Sequence, residues 1–255
     1  MHSLRKATLA LAIALTAATT QAQTANYFSL ADISVTVIDV LDEFGDSMGF
    51  VPIGLDISGI AELDEQIGDS IGNATDEFNV LTDPMIFTAF DTGDGTTQMT
   101  DVLGSAGPGD GSAQSFVRTS GTLELSNDTS DTLTVVFGVL FQVETVVTAD
   151  NPLDQLAEAA ASVAINSFSP FFPSEIILNV SSFVTTNNTN NDFSQGGAFE
   201  FEIILDAATF VDLAFTTEID GYAESTARPI PAPAALPAGI ALMGMLGLRR
   251  NRLKA

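Results

Sequence analysis

From Phe199 to Leu205 the chain alternates: Phe199, Phe201, Ile203 and Leu205 are interleaved with Glu200, Glu202 and Ile204. A repeat of two places successive side chains on opposite faces, the arrangement of a pleated strand with one face buried. A helix would scatter the same phenylalanines around its axis. The pattern recurs along the middle of the chain, and it confines the fold to sheet structure.

Leu133 to Thr148 is rich in Val, Phe, Thr and Leu, residues that fit a pleated surface. Gly121 to Leu125, Glu175 to Val184 and Phe210 to Glu218 read the same way. Turn-forming clusters separate them: Ser126–Asp131, Asp150–Pro152, Ser169–Pro173 and the polar run Thr185–Asn191. Leu153 to Ile165 holds enough alanine for a helix, yet Ala157, Ala159, Ala161, Val163 and Ile165 alternate. A strand after a short turn is favoured there, with a helix as the alternative. Ile60, Leu63, Ile67 and Ile71 recur at near-helical spacing and suggest a short amphipathic helix in an otherwise irregular N-terminal part. Short strands with regular turn signals predict an all-β chain, an antiparallel β-sandwich of jelly-roll or immunoglobulin-like kind over residues 23–228.

Charge narrows the partners. Between residues 23 and 228 there are only two basic residues, Arg118 and Arg228, against all 33 acidic ones, a formal −31. Such a surface repels nucleic acid and anionic lipid, which need Lys or Arg to neutralise phosphates. It attracts divalent cations and keeps a chain soluble. Acidity alone could signal disorder, but 18 phenylalanines require burial. Cysteine is absent, so no disulfide framework supports the fold.

The same residues exclude much chemistry. The one histidine is His2, and residues 23–228 contain no His, Cys, Lys or Trp. Ser-His-Asp and Cys-His catalysis, lysine Schiff bases and His/Cys zinc sites are therefore out of reach. Carboxylates remain, and paired carboxylates can hydrolyse glycosides. Sugar-cleaving clefts stack their substrate on Trp or Tyr, however, and this region offers only Tyr27 and Tyr222. Phe90-Asp91-Thr92-Gly93 has the form of an aspartic-protease signature. No second Asp-Thr-Gly or Asp-Ser-Gly accompanies it, so a turn after a Met85–Phe90 strand is the expected reading. Asp91, Asp94, Asp101 and Asp110 also form a candidate Ca²⁺ set on glycine-rich backbone, without EF-hand spacing. A solvated acidic loop is the alternative. No enzymatic activity and no obligate cofactor are expected.

The two ends have a separate logic. Arg5 and Lys6 precede an apolar run, Ala7 to Ala18, and Thr20-Gln21-Ala22 supplies small residues for a signal peptidase. Residues 1–22 read as a secretory signal peptide cleaved after Ala22, with Ala25 as an alternative. At the other end, Ile230-Pro231-Ala232-Pro233-Ala234 leads into an uncharged stretch, 234–248. Arg249, Arg250, Arg252 and Lys254 follow it. At about 1.5 Å per residue, a helix beginning near Ile230 nearly crosses a bilayer core of about 30 Å. Its basic end belongs on the cytoplasmic side.

This three-part tail resembles the C-terminal sorting signals of bacterial PEP-CTERM proteins, in particular the VPLPA-CTERM variant. Pro231, Pro233 and Ala234 match that motif; Ile230 and Ala232 depart from it. The resemblance implies recognition and cleavage by an exosortase-like membrane transpeptidase in a Gram-negative bacterium, in the company of exopolysaccharide. More loosely, Asn127–Ser225 is similar to the sandwich domains that precede such tails. The shared features are Asn127-Asp-Thr-Ser-Asp131 before a Leu-Thr-Val-Val-Phe strand, then an Ala-rich strand, and a last strand ending in Gly221-Tyr-Ala-Glu-Ser225. The expectation is an exported, non-enzymatic cell-surface or matrix protein, with residues 229–255 as its sorting signal. A Ca²⁺-assisted carbohydrate- or protein-binding module is the alternative, and a carboxylate hydrolase a remote one.

Overall fold

Every regular element among the described residues is a β-strand. The computed structural model describes residues 24–82, 91–150, 154–170, 174–186 and 191–226. The strands are β1 (Ala25–Leu41), β2 (Leu55–Thr82), β3 (Gly95–Asn127), β4 (Leu133–Ala149), β5 (Gln155–Phe168), β6 (Glu175–Thr185), β7 (Asn191–Leu205) and β8 (Thr209–Ser225). All pairings are antiparallel and belong to one sheet, in the order β6-β5-β8-β3-β1-β4-β7, with β2 also on β3.

Strand β3 is the pivot. Its first part, Gly95–Ala106, pairs with β1; its last part, Gly111–Asn127, pairs with β8. Strand β2 follows it through both parts, with a register break between Gly72 and Ala74. Gly72 (φ 72°) and Gly109 (φ 104°) adopt the left-handed conformation that lets the ladder bend there. A Cβ on Gly72 would lie 2.2 Å from the carbonyl oxygen of Asp110. The sheet folds back at this bend, so that β1 packs across the interior from β5 and β8, and β4 from β5 and β6. The edge strands β6 and β7 approach one another, and the sheet nearly closes into a barrel.

Alternation fills the interior. Ala157, Ala159, Ala161, Val163 and Ile165 of β5 are all buried, as are Ile33, Val35 and Val37 of β1. Small and large residues interlock, as close packing requires. The Tyr27 ring lies between Gly104 and Gly221, and Phe215 lies against Gly121; a Cβ at any of these glycines would come within 2.2 Å of a ring atom. Buried polar groups pair across the interior. The hydroxyls of Tyr27 and Ser115 are 2.5 Å apart, Thr217 meets Thr100 at 3.2 Å as well as its ladder partner Thr119 at 2.7 Å, and Ser29 donates to the carbonyl of Asp220 at 2.8 Å. Gln98 is buried with neither amide atom hydrogen-bonded among the described residues.

Five expectations resolve here. The chain is all-β and antiparallel, and 155–168 is strand rather than helix. The helix suggested by Ile60, Leu63, Ile67 and Ile71 does not form; these residues lie in β2. A register shift between Leu63 and Glu65 puts Ile60, Ile67 and Ile71 on one face, whereas Leu63, three residues after Ile60 in unbroken register, lies on the other. The strands are long rather than short, from 11 residues in β6 to 33 in β3. The N-terminal part is also regular, being β1 and most of β2. The signal-peptide and tail segments, 1–22 and 229–255 with the apolar stretch 234–248, and the strand suggested at Met85–Phe90 lie outside the described residues.

Candidate functional site

The four candidate Ca²⁺ ligands are not brought together. Asp91-Thr92-Gly93-Asp94 is a tight turn, closed by the Asp94 N–H donating to the Asp91 carbonyl at 3.0 Å. Gly93 takes φ 95° at the third position, as a type II turn demands. The carboxylates serve the turn itself. Asp91 accepts from the N–H groups of Thr92 (2.8 Å) and Val51 (3.2 Å), and Asp94 accepts from the Asp91 N–H (2.9 Å). Asp101 stands on β3, bonded by the Asn79 amide at 3.0 Å, and Asp110 stands at the bend. At about 3.3 Å per strand residue, Asp101 is about 23 Å of chain beyond Asp94 and Asp110 about 50 Å. Among the described residues, no three His, Cys, Asp or Glu side chains group so as to hold a metal ion.

The register places the loops 42–54, 91–94, 128–132 and 206–208 at one end of the strands. Thr24 and Thr226 lie at the other end, held by Asp150 and Asp154. Acidic side chains at the loop end turn back on their own backbone. Asp42 accepts the N–H groups of Phe44 and Asp46, both at 2.9 Å. The Ser47 hydroxyl, with the amides of Val40 and Gly49, holds the Asp39 carboxyl below the usual carboxylate range. Asn127 anchors the corner. It is fully buried, donates to the carbonyls of Asp131 (2.8 Å) and Leu205 (2.9 Å), and accepts from the Thr129 N–H (3.0 Å). In sequence it stood only as part of a turn cluster.

On the outer face of β1, β4 and β7 a groove of about 540 Å³ is lined by Thr36, Ile38, Gly138, Leu140, Ala198 and Glu200, among others. Its floor follows from the register: Gly138 lies directly between Thr36 and Glu200. A Cβ on Gly138 would sit 2.8 Å from Ile38 Cδ1, so a larger residue would fill the floor. Ile38 and Leu140 form exposed apolar walls. The Glu200 carboxylate and Thr36 hydroxyl supply hydrogen-bonding groups at the rim. The chemistry suits a ligand with hydroxyl donors and one apolar face. The signals in sequence were a glycine inside a strand and an apolar residue out of phase with its neighbours, neither of which identifies a site alone.

Burial pushes the carboxyls of Asp32 on β1 and Asp220 on β8 up from the ordinary carboxylate value. Burial pushes the Tyr27 hydroxyl up to about 12. Burial, with the carboxylate of Glu224 that Tyr222 donates to at 2.8 Å, does the same for Tyr222. Both therefore stay protonated near neutrality. Arg118 is bound to Glu218 by an ion pair, and its Nε donates to the same carboxylate at 2.9 Å.

No protein-family model matches this chain, and no curated protein is similar to it. Among solved structures, the secreted serine protease VesC from Vibrio cholerae is 8% identical over 66% of this chain, with a TM-score of 0.12. The enzymatically active domain of bacteriophage CBA120 tailspike protein 4 is 12% identical over 68% of this chain, also with a TM-score of 0.12. The chain spans 46% and 18% of those two chains. Likenesses of this size carry no argument about fold or function.

Proposed function

We propose that this is an exported, non-enzymatic cell-surface or extracellular-matrix protein, sorted through its C-terminal segment by an exosortase-like transpeptidase and working beside exopolysaccharide. The observation that carries the reading is the order of the last residues: the proline motif from Ile230 to Ala234, the uncharged stretch to Leu248, then Arg249, Arg250, Arg252 and Lys254. The basic n-region and apolar run before Ala22 supply the matching export signal. The absence of His, Cys and Lys from residues 23–228 supports a passive role.

In this reading the folded part is a sandwich-like body of jelly-roll or immunoglobulin-like kind, its two layers being the halves of the folded sheet. Thr24 and Thr226 share one end of the strands, and the acidic loops occupy the opposite end. Strand β8, 17 residues long, separates the two ends by about 50 Å. The Gly138 groove offers polysaccharide a contact surface of the right character.

Intact mass of the protein from its native host, measured in envelope and medium fractions, tests this reading. Loss of about the first 22 residues and of everything after the proline motif is the expected result. An intact tail found only in the inner membrane overturns the sorting reading and leaves a single-pass anchor.

A further inference from the structure

The geometry points to the outer edge of β7 as a docking site for an extended, basic peptide segment of another protein, which would add to the sheet as a further strand. Strand β7 is one end of the sheet and pairs only with β4 among the described residues. Its register with β4 runs unbroken from Asn191 to Leu205. Edge strands are commonly guarded by lysine, proline, a bulge or shortness. Strand β7 has 15 residues and no lysine, proline or bulge; its charged residues are Asp192, Glu200 and Glu202, and β6 approaches it without pairing among the described residues. The edge of β2, by contrast, is interrupted by two register shifts.

The two faces of β7 specify the occupant. On the inner face Phe199, Phe201 and Ile203 pack against the core yet are only partly buried, because the sheet stops there. Phe201 stacks on Phe137 at 5.2 Å, and Phe199 meets Phe141 edge-on at 6.3 Å. On the outer face Glu200 and Glu202 are exposed. A strand laid beside β7 would place one set of side chains next to the aromatic row and the alternate set next to the two glutamates. Apolar and basic residues in alternation satisfy both faces.

A second copy of this chain does not. Two β7 edges paired antiparallel in the register that sets Glu200 against Glu202 would bring like charges together across the ladder, where they repel. The body cannot compensate, since Arg118 is the one Lys or Arg among the described residues. The glutamates thus oppose self-assembly while admitting a cationic strand. The inference stands independently of the sorting reading, since it uses only the folded body.

The probe is a labelled peptide of about nine residues alternating lysine with valine, compared with one in which the same residues form two blocks. Binding to the full chain is read by fluorescence anisotropy, and backbone protection by hydrogen exchange. The alternating peptide should bind at least about ten-fold more tightly than the block peptide, a difference of about 1.4 kcal/mol, and should protect amides of β7. The double variant Glu200→Lys/Glu202→Lys should lose that preference; Glu200→Gln/Glu202→Gln serves if the first fails to fold. Equal affinity for both peptides, protection confined to the acidic loops, or an unaffected double variant would overturn the proposal in favour of condensation on a generally acidic surface.

Discussion

Strands β5 and β2 both carry isoleucines, but β5 is alanine-rich and β2 acidic, and they end in different circumstances. Strand β5 is hydrogen-bonded on both sides, by β6 and β8, and each alternate residue from Ala157 to Ile165 is buried. Among the described residues strand β2 is bonded only to β3, and its Ile60, Leu63, Ile67 and Ile71 are between 41% and 61% exposed. The β5 pattern was readable because burial on one face selects residues at every second position. Along β2 the register shift after Leu63 resets the phase and the exposed edge relaxes selection, so a strand imitated a helix. Alternation reports burial first and strand structure only through it.

The sharpest way to break this comparison is a substitution beside β5. Gly221 pairs with Ala159, and a Cβ there would lie 2.1 Å from the Tyr27 ring. Gly221→Val should cost about 4 kcal/mol or prevent folding, read from urea unfolding. Next comes a matched pair. Ile165→Ala should cost about 3 kcal/mol, and Ile67→Ala within about 0.5 kcal/mol, by the shift in urea midpoint. If Ile67→Ala costs as much as Ile165→Ala, the contrast between the strands is wrong. At the bend itself, Gly72→Ala meets both a positive φ and the Asp110 carbonyl. A loss of about 2 kcal/mol is expected, with a lowered melting temperature as the readout.

A smaller effect separates the core from the edge by pH. Unfolded tyrosine ionises near pH 10, whereas Tyr27 is pushed up to about 12. The unfolded chain therefore loses its proton first. This contribution is complete below about pH 10 and fades as pH rises towards about 12. Tyr27→Phe should flatten that decline, measured by chemical unfolding across the window, leaving the part due to Tyr222. It should also cost about 1 kcal/mol at neutral pH through the lost bond to Ser115. The smallest change is a gain. Ala208, between β7 and β8, is a non-glycine residue at φ 59°. Ala208→Gly relieves that conformation but loosens the unfolded chain, for a net gain of about 0.5 kcal/mol, seen as a slightly higher melting temperature.

Much of the candidate site lay beyond sequence. Asp91 and Asp94 were correctly placed in a loop, but hydrogen bonds from Val51 and Thr92 to Asp91 join residues that local pattern does not connect. The groove needs Thr36, Gly138 and Glu200 in line on three strands, a register that no one segment encodes. Asn127 looked like an ordinary turn residue until Leu205 was seen beside it.

The sequence by itself determined that the body is sheet, that β4 and β6 exist near their observed limits, that the last half of β7 and the first half of β8 are strand, and that histidine, cysteine and lysine chemistry is absent from it. It also contains the tail pattern from Ile230 to Lys254, which depends on order along the chain and on no partner in the fold. Tertiary structure decided the strand order, the bend at Gly72 and Gly109, and the edge left at β7. Local periodicity records which side of a strand is buried. Which strand lies beside it is settled only when the whole sheet must bury its apolar face at once.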